Sequence, residues 1–274
     1  METKEKYKPC VLVNPAYNPG MDVSSFPDFN MPVLLCIKDL PTQQLPDSSY
    51  NVYVDCTEPS VFCEPVENVK VRNDLDLILT TRPELLENSN CKAVLFPFGS
   101  CWTKNPNKKK FGVSFLITSP QGMDGYDIRH RLWSEKDRIT IPKYFYNSSR
   151  RPVNNDSPKI GESKEKLFDT MFSVCIENTR EPYYFSEKLI DSLQSKTVPI
   201  YYGCSRIEEF FDASGIIQVN NEQEIIDVCN SLTVEDYESR KEAISKNYET
   251  SKQFAGDFPC RLFSEIRKHM ECEK

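Results

Sequence analysis

The polar residues best suited to chemistry lie where the apolar run FSVCI is followed by ENTREPYYFSEKL. Ser186 suits the N-cap of a helix, which would place Glu187 and Lys188 in the first helical turn. The helix dipole favours an acidic residue there, but it does not favour a lysine. We therefore expect Lys188 to have an anionic partner, and a bound anion at the helix N-terminus is the natural one. The alternative is that Glu187 only complements the dipole and that Lys188 is solvated.

Histidine chemistry is disfavoured, because His130 and His269 are the only histidines and neither sits in a nucleophile or metal-ligand pattern. A Ser-His-Asp triad and a zinc site are therefore not expected. The 11 cysteines are odd in number, contain no CxxC pair and lie partly inside apolar runs. Reduced, structural thiols are the favoured interpretation, with a disulfide framework as the alternative.

The elements that must position this segment follow from the apolar pattern. In the first half of the chain, short β-rich runs at 33–37, 50–56, 75–80 and 92–98 indicate buried parallel strands, whereas proline obscures the helices. In the second half, strands and helices alternate more clearly. The predicted strands there are 111–118, 172–177, 198–202 and 216–219, and the predicted helices are 126–136, 163–171, 186–195, 222–232, 234–249 and 258–270. This alternation predicts a doubly wound α/β domain with a ligand crevice at the carboxyl ends of its strands.

A polar, basic stretch at Lys104–Lys110, with a proline and no apolar anchor, indicates a domain boundary. We predict an N-terminal domain over residues 1–108 and a C-terminal domain over residues 109–274, with a last helix able to pack back on the first domain. The three consecutive lysines in this stretch are explained at least as well by a solvated approach to a strand as by anion binding.

Charge and hydropathy limit the classes of partner. The chain of 274 residues has 34 Lys and Arg against 41 Asp and Glu, for a net charge of −7. This acidic balance disfavours nucleic acid as a partner. No stretch approaches the roughly 20 apolar residues of a membrane span, and the N-terminal sequence METKEKYKPC is polar. We therefore expect a soluble, cytoplasmic protein, and the sequence does not predict its oligomeric state.

The run FSVCIENTREPYYFSEKLIDSLQSKTVPIYYGC resembles the signature of the family-10 glycosyltransferases, the α1,3/α1,4-fucosyltransferases. That signature reads approximately F-x-x-x-x-E-N-[ST], an aromatic residue followed two residues later by [ST]-E-K-[IL], and then V-P-[IV]-x-x-G. The matching positions are Phe172, Glu177, Asn178, Thr179, Tyr184, Ser186, Glu187, Lys188, Leu189, Val198, Pro199, Ile200 and Gly203. The resemblance extends over roughly residues 50 to 220 and is strongest in the last third of that span.

Two further stretches resemble the same family. KKKFGVSFLITS followed by GYDIRHRL is similar to a strand and helix whose arginine contacts the sugar nucleotide, which makes Arg129 the matching position and Arg131 its alternative. NVYVDCTEPSVF is similar to a strand that ends in the family's catalytic base, which makes Glu58 the counterpart. There the usual order E-S-P is replaced by E-P-S. Glu58 could instead be an ordinary acid of a turn, with Glu64 and Glu67 nearby.

The resemblance implies a GT-B-like α/β fold, with two Rossmann-like domains facing across a cleft, and inverting transfer of fucose from GDP-fucose to a glycan hydroxyl. It implies catalytic roles for Glu58 and Glu187. It also implies donor binding by Arg129, Lys188, Tyr184, Asn178 and Ser186. Tyr184 could equally be an ordinary packed aromatic residue, and Asn178 could cap a turn. Arg129 could be a surface residue paired with Asp127 or Glu135, and Glu177 is more simply structural.

No cofactor and no metal are expected, because the only D-x-D sequence, Asp74-Leu75-Asp76, opens an apolar run and has no matching context. Members of the family from eukaryotes begin with a membrane anchor, so this chain resembles the short soluble members of bacteria or large viruses. Fucose is implied by the family and by no residue of this chain. The alternatives are therefore a transferase for another nucleotide sugar, or a nucleotide-sugar or glycan-binding module without catalysis.

Overall fold

The computed structural model describes residues 6–13, 28–55, 58–103 and 108–272. Residues 104–107 of the predicted boundary stretch, and Cys56, lie outside them. The chain divides into two units: unit 1 comprises Met1–Phe98 with Asp257–Lys274, and unit 2 comprises Gly99–Gly256. The structural division therefore falls between Phe98 and Gly99, ten residues before the boundary drawn from sequence, and it assigns the last helix to unit 1.

Unit 1 is built on a parallel sheet of five strands, in the order β1-β2-β3-β4-β5. Its strands are β1 (Cys10–Val13), β2 (Val33–Ile37), β3 (Tyr50–Val54), β4 (Leu77–Thr80) and β5 (Lys92–Leu95), and its first helices are α1 (Pro59–Phe62), α2 (Val66–Lys70) and α3 (Pro83–Asn88). All side chains of β3 and β4 are buried, as expected for strands of a parallel sheet that is covered on both faces.

Unit 2 contains a second parallel sheet, in the order β10-β9-β8-β6-β7. Its strands are β6 (Lys110–Ile117), β7 (Lys143–Asn147), β8 (Thr170–Ile176), β9 (Val198–Tyr202) and β10 (Ile217–Gln218). Its helices are α4 (Asp124–Ser134), α5 (Glu187–Gln194), α6 (Glu222–Ser231), α7 (Val234–Ser239) and α8 (Lys241–Ala255). The chain runs from β6 outward to β7 and then returns to the other side of β6 to form β8, so the winding direction reverses between β6 and β8. Such a reversal creates a crevice at the carboxyl ends of the two strands.

The final helix, α9 (Phe258–Cys272), packs within unit 1. Leu262, Phe263 and Ile266 are at most 2% exposed and share a core with residues of β2, β3 and β4. Apolar residues at these spacings form one face of the helix, and this face is buried against the sheet of unit 1. Within the described ranges, no helix is long and apolar enough to cross a membrane.

Several predicted elements differ from the observed ones. The predicted helix over 163–171 is wrong: the structure has a 3-10 helix at Glu165–Asp169, and β8 already begins at Thr170. Thr170 pairs with Lys110 of β6, so tertiary strand pairing overrides local helix propensity there. The predicted helix over 234–249 is two helices, α7 and α8, that meet at Arg240. Strand β7 was not predicted.

Candidate active site

A cavity of about 460 Å³ lies in unit 2, at the carboxyl ends of β6 and β8. Its volume is within the range of small-molecule sites, and its position is the reversal point of the sheet, where ligands bind in folds of this type. Helix α5 and the segment 148–168 supply the other walls. The charged residues that line it are Arg129, Arg150, Arg151, Glu162, Lys164, Glu187, Lys188 and Asp191, and Trp102, Tyr126 and Asn178 line it as well.

The N-terminus of α5 is held by a buried carboxylate. Ser186 is the N-cap, as predicted, and its Oγ accepts a hydrogen bond from the Lys188 backbone N–H at 3.3 Å. Glu177, which follows β8 and is 0% exposed, accepts hydrogen bonds from the Ser186 N–H at 2.8 Å and from Ser186 Oγ at 2.6 Å. The end of β8 and the start of α5 are thereby joined through one side chain, which supports the structural interpretation of Glu177.

Lys188 has carboxylate partners inside the protein. Its Nζ lies 3.4 Å from Glu177 Oε2 and 3.5 Å from Glu187 Oε1, and it donates to Ser186 Oγ at 3.1 Å. The lysine side chain is 25% exposed. The expectation of an anionic partner is therefore met by these two carboxylates, and the interpretation as a merely solvated lysine is wrong. Since Lys188 lines the cavity, its ammonium group is also accessible to a ligand.

Glu187 lies between two ammonium groups. Lys164 Nζ is 3.3 Å from Glu187 Oε1, and Lys188 Nζ is 3.5 Å from the same oxygen. Burial by itself raises the pKa of Glu187, but Lys188, Lys164 and the hydrogen bond from Ser186 outweigh burial and lower the pKa to about 2. Glu187 is thus a carboxylate that stays ionised throughout the physiological pH range.

Arg129 lies on α4 and is 5% exposed, so it is not a surface residue. Its Nη2 donates to the carbonyl oxygen of Ile176 at the end of β8, and its guanidinium lies 5.0 Å from the ring centroid of Tyr126. Burial lowers the pKa of Arg129, and Glu177 and other neighbours oppose that shift. Arg131, the alternative candidate, is 51% exposed and pairs with Glu222 at 2.8 Å. Of the two arginines, Arg129 lines the cavity and Arg131 does not.

Helix α4 approaches β8 closely at Gly125. The Gly125 N–H donates to the carbonyl oxygen of Asn178 at 3.0 Å. A Cβ atom at this position would lie 1.8 Å from the carbonyl oxygen of Glu177, so only glycine is compatible with this approach. Arg129 is one helical turn further along α4, and the close approach therefore sets its distance from β8.

Asp191 of α5 is fully buried and joins the helix to the segment that contains Trp102. Its Oδ1 accepts a hydrogen bond from the Trp102 backbone N–H at 2.6 Å. Within the described part of the chain its Oδ2 has no hydrogen-bond partner, although Lys164 Nζ lies 3.8 Å away. Burial raises the pKa of Asp191 to about 6, which Lys164 and the Trp102 N–H oppose. The indole of Trp102 is 63% exposed, and Lys164 Nζ lies 4.1 Å from its centroid.

The remaining donor candidates have different positions. Asn178 lines the cavity. Tyr184 and Ser186 are each 1% exposed and are not among the lining residues. Tyr184 is thus a packed aromatic residue next to the cap, and Ser186 can influence a ligand through Lys188 and the N-terminus of α5.

Glu58 belongs to unit 1, whereas the other predicted site residues belong to unit 2. It is the N-cap residue of α1, just beyond β3, and is 7% exposed. Its carbonyl oxygen accepts hydrogen bonds from the N–H groups of Val61 and Phe62, each at 3.0 Å. Glu58 is therefore a buried acid just beyond the carboxyl end of a parallel strand, and it is not among the residues that line the cavity of unit 2.

Among the residues of the cavity wall that sequence reasoning did not single out are Trp102, Arg150, Arg151, Lys164 and Asp191. Trp102, Arg150 and Arg151 lie in segments for which no helix or strand was predicted, and Lys164 was assigned to a helix that does not exist. Asp191 was inside a correctly predicted helix, and its i+4 spacing from Glu187 was the one local signal that placed both on the same helix face.

In the ranges that the structure describes, no group of three or more His, Cys, Asp or Glu side chains is arranged to hold a metal ion. The nine cysteines whose side chains are described are all free thiols. The charged side chains that line the cavity are those of arginine, lysine, glutamate and aspartate residues.

Comparison with known proteins identifies relatives of this chain. It is 34% identical over 167 residues to the alpha-(1,3)-fucosyltransferase FucT of Helicobacter pylori, an alignment that covers 56% of this chain and 33% of that protein. It is 31% identical over 107 residues to an alpha-(1,4)-fucosyltransferase of Arabidopsis thaliana, covering 35% of this chain and 27% of that protein. The matched segment thus spans about a third or less of each curated relative. No family model matches the chain.

Solved structures show the same fold. A crystal structure of an α1,3-fucosyltransferase with GDP-fucose aligns with a TM-score of 0.53 and 16% identity, over 87% of this chain and 78% of that one. A crystal structure of an α1,3-fucosyltransferase with GDP aligns with a TM-score of 0.51 and 17% identity, over 88% and 80%. The two parallel sheets with their helices are thus of the GT-B-like α/β class, and the chain is similar in sequence to α1,3- and α1,4-fucosyltransferases, as its motifs indicated.

Proposed function

We propose that this chain is an inverting, metal-independent glycosyltransferase that moves fucose from GDP-fucose to a hydroxyl group of a glycan acceptor, with α1,3-type specificity. Sequence similarity to two fucosyltransferases supports the class of reaction. The observation that carries the proposal is the cap at α5: Glu177 holds Ser186, and the cap places Glu187 and Lys188 in one cavity wall.

The departing GDP requires positive charge near its diphosphate. Arg129 and Lys188 line the same cavity, close to the N-terminus of α5. The contact of Arg129 with Ile176 uses one of its five N–H donors. Charge-assisted hydrogen bonds from such groups to phosphate oxygens stabilise the leaving group as its negative charge develops. Asn178 lines the same wall and is proposed to contact the donor.

Tyr184 and Ser186 are proposed to support the donor site from behind the wall. Ser186 orients Lys188 through the hydrogen bond from Lys188 Nζ to Ser186 Oγ at 3.1 Å. Tyr184 is buried beside this cap and stiffens the chain that leads to α5. Both residues thus act on the donor through the position of α5, in addition to any contact that forms when the donor binds.

The acceptor hydroxyl must lose a proton as it attacks, and Glu58 is proposed as the base. In this step the acceptor oxygen forms a bond to C1 of the sugar, the bond from C1 to the diphosphate oxygen breaks, and GDP leaves with the electron pair. The hydroxyl proton passes to the carboxylate of Glu58. Attack opposite the leaving group inverts C1, so a β-linked donor gives an α-linked product.

Glu187 is proposed to stabilise the positive charge that develops on the sugar ring. Because its pKa is lowered to about 2, the carboxylate is anionic near neutral pH. It is therefore suited to electrostatic stabilisation and unsuited to proton transfer near neutral pH, which assigns the base role to another carboxylate.

The donor is tested by thermal unfolding in the presence of nucleotide sugars, with EDTA in every sample except the Mg²⁺ comparisons. GDP-fucose and GDP are expected to raise the unfolding temperature, because a ligand that binds only the folded state stabilises it. UDP-sugars and the same nucleotides with Mg²⁺ serve as comparisons. If another nucleotide raises the temperature and GDP does not, the donor assignment is wrong.

Catalysis is tested with Glu58→Gln, measured as product formation and as GDP affinity. The variant is expected to bind GDP with unchanged affinity and to lose at least about 100-fold in kcat. Proton NMR of the wild-type product gives the anomeric configuration directly. A wild-type protein that binds GDP-fucose and transfers nothing to a panel of glycans would be a binding module, and a β-linked product would exclude inversion.

A further inference from the structure

The turn Ser148–Arg151 forms part of the cavity wall and is attached to the carboxyl end of β6. The Ser148 N–H donates to the carbonyl oxygen of Ile117 at 2.9 Å. The Ser119 N–H donates to the carbonyl oxygen of Arg151 at 2.9 Å. These two bonds hold both ends of the turn against the strand end at the reversal point of the sheet, so the turn is an ordered part of the site.

The buried side chain of Asn147 forms hydrogen bonds with the backbone that follows this turn. Asn147, the last residue of β7, is 0% exposed. Its Oδ1 accepts from the Val153 N–H at 2.8 Å, and its Nδ2 donates to the carbonyl oxygen of Asn154 at 2.8 Å. The backbone on both sides of Arg150 and Arg151 is thereby fixed, which reduces the backbone entropy that this turn loses when a ligand binds.

The basic side chains of the cavity differ in whether they already have hydrogen-bond or ion-pair partners within the protein. Lys164 and Lys188 each lie within 4 Å of two carboxylates, and Arg129 donates to a backbone carbonyl. Arg150 and Arg151 are exposed residues of the wall, and neither guanidinium forms an ion pair or a hydrogen bond with any other described residue. Among the described residues, no carboxylate therefore neutralises the charge of Arg150 or Arg151, and no protein group occupies their N–H donors.

We propose that Arg150 and Arg151 bind the diphosphate of the donor nucleotide, as a second cationic contact beside Arg129 and Lys188. This inference rests on the proposed function, because it takes a nucleoside diphosphate as the ligand. An arginine guanidinium suits phosphate because its planar fork of N–H donors matches two phosphate oxygens. A diphosphate carries the concentrated negative charge that two unneutralised guanidinium groups in one preformed wall would recognise.

The test is the double variant Arg150→Gln/Arg151→Gln, with GDP, GMP and inorganic pyrophosphate as titrants in isothermal titration calorimetry. Affinity for GDP and for pyrophosphate is expected to fall at least about tenfold, since hydrogen bonds to charged groups are lost. Affinity for GMP is expected to fall less. The matched control is Arg138→Gln, an exposed arginine of unit 2 that pairs with Glu135 and does not line the cavity. It should leave all three affinities unchanged.

A measurement on the wild-type protein tests the same contact without a variant. Phenylglyoxal modifies accessible arginines, and GDP is expected to protect Arg150 and Arg151 but not Arg138, as read by peptide mass spectrometry. Unchanged GDP and pyrophosphate affinity in the double variant would overturn the inference, as would a variant that changes only the KM of the acceptor. If the wild type bound pyrophosphate but not GDP, the proposed donor would be wrong instead. The pyrophosphate affinity of the double variant would then still show whether Arg150 and Arg151 bind a diphosphate.

Discussion

Substitution of Glu177 by glutamine tests the central claim about the cap. Glutamine keeps the size of the side chain and removes its charge, so no large cavity results. Its Oε1 can still accept from the Ser186 N–H, but its Nε2 would then face Ser186 Oγ. That hydroxyl already accepts from the Lys188 N–H at 3.3 Å and from Lys188 Nζ at 3.1 Å, and it would have to accept a third hydrogen. The cap therefore loses one hydrogen bond and the Lys188 ion pair at 3.4 Å.

The expected cost follows from burial. Removing one partner of a fully buried ion pair costs about 3 to 5 kcal/mol. Glu177 is 0% exposed, but Lys188 is 25% exposed and keeps Glu187 as a partner at 3.5 Å, which lowers the cost. We expect the free energy of unfolding of unit 2 to fall by about 2 kcal/mol. The Kd for GDP should rise by about tenfold, because the ammonium of Lys188 and the N-terminus of α5 are less well positioned.

The measurements are urea unfolding followed by circular dichroism and calorimetric titration with GDP. The matched control is Glu209→Gln, which removes an exposed carboxylate paired with Arg206 at 3.4 Å. That change should cost less than about 1 kcal/mol, as surface ion pairs do. If Glu177→Gln were as stable as this control and bound GDP with the affinity of the wild type, the claim that Glu177 builds the site would be refuted.

Three further predictions concern neighbouring residues. Glu187→Gln should lower kcat by about 100-fold in a coupled assay while the Kd for GDP changes little; a normal kcat would remove Glu187 from the mechanism. Gly125→Ala should destabilise unit 2 by at least about 2 kcal/mol in urea unfolding, because the new Cβ would lie 1.8 Å from a carbonyl oxygen. The pKa of Asp191 is raised by burial from 3.8 to about 6, so its charged form penalises the fold. The free energy of unfolding of the wild type should therefore fall by about 3 kcal/mol as the pH rises from about 4 to about 6. Asp191→Asn should lack this pH dependence. Identical profiles of stability against pH for the two proteins would contradict the prediction.

Local sequence signals predicted those features that depend on neighbouring residues. Ser186 was recognised as an N-cap because a hydroxyl before an amphipathic helix satisfies a backbone N–H two residues later. The buried strands β3, β8 and β9 were recognised because continuous apolar runs mark strands of a parallel sheet. Arg129 was singled out by resemblance to a family, and the structure shows it to be buried in the cavity wall.

Local sequence signals failed to predict the structure where strand pairing or loop packing determines it. The segment 163–171 has a helical composition, yet Thr170 pairs with β6 as part of β8. Strand β7 lies at the edge of its sheet with only Asn147 fully buried, so its sequence lacks a continuous apolar run. The loop residues Lys164 and Arg151 reach the cavity through contacts with segments distant in the chain, and no periodicity marks such contacts.

The sequence by itself therefore determined the α/β alternation, the helix cap at Ser186 and the resemblance to fucosyltransferases, because each of these depends on the order and spacing of residues along the chain. Only the tertiary structure decided that Glu177 is joined to the cap nine residues later, and that the sheet of unit 2 reverses between β6 and β8. The physical reason is that charge pairing and burial depend on distance in space. The chain brings Lys164 Nζ within 4 Å of carboxylate oxygens of both Glu187 and Asp191, although the sequence positions alone do not require it.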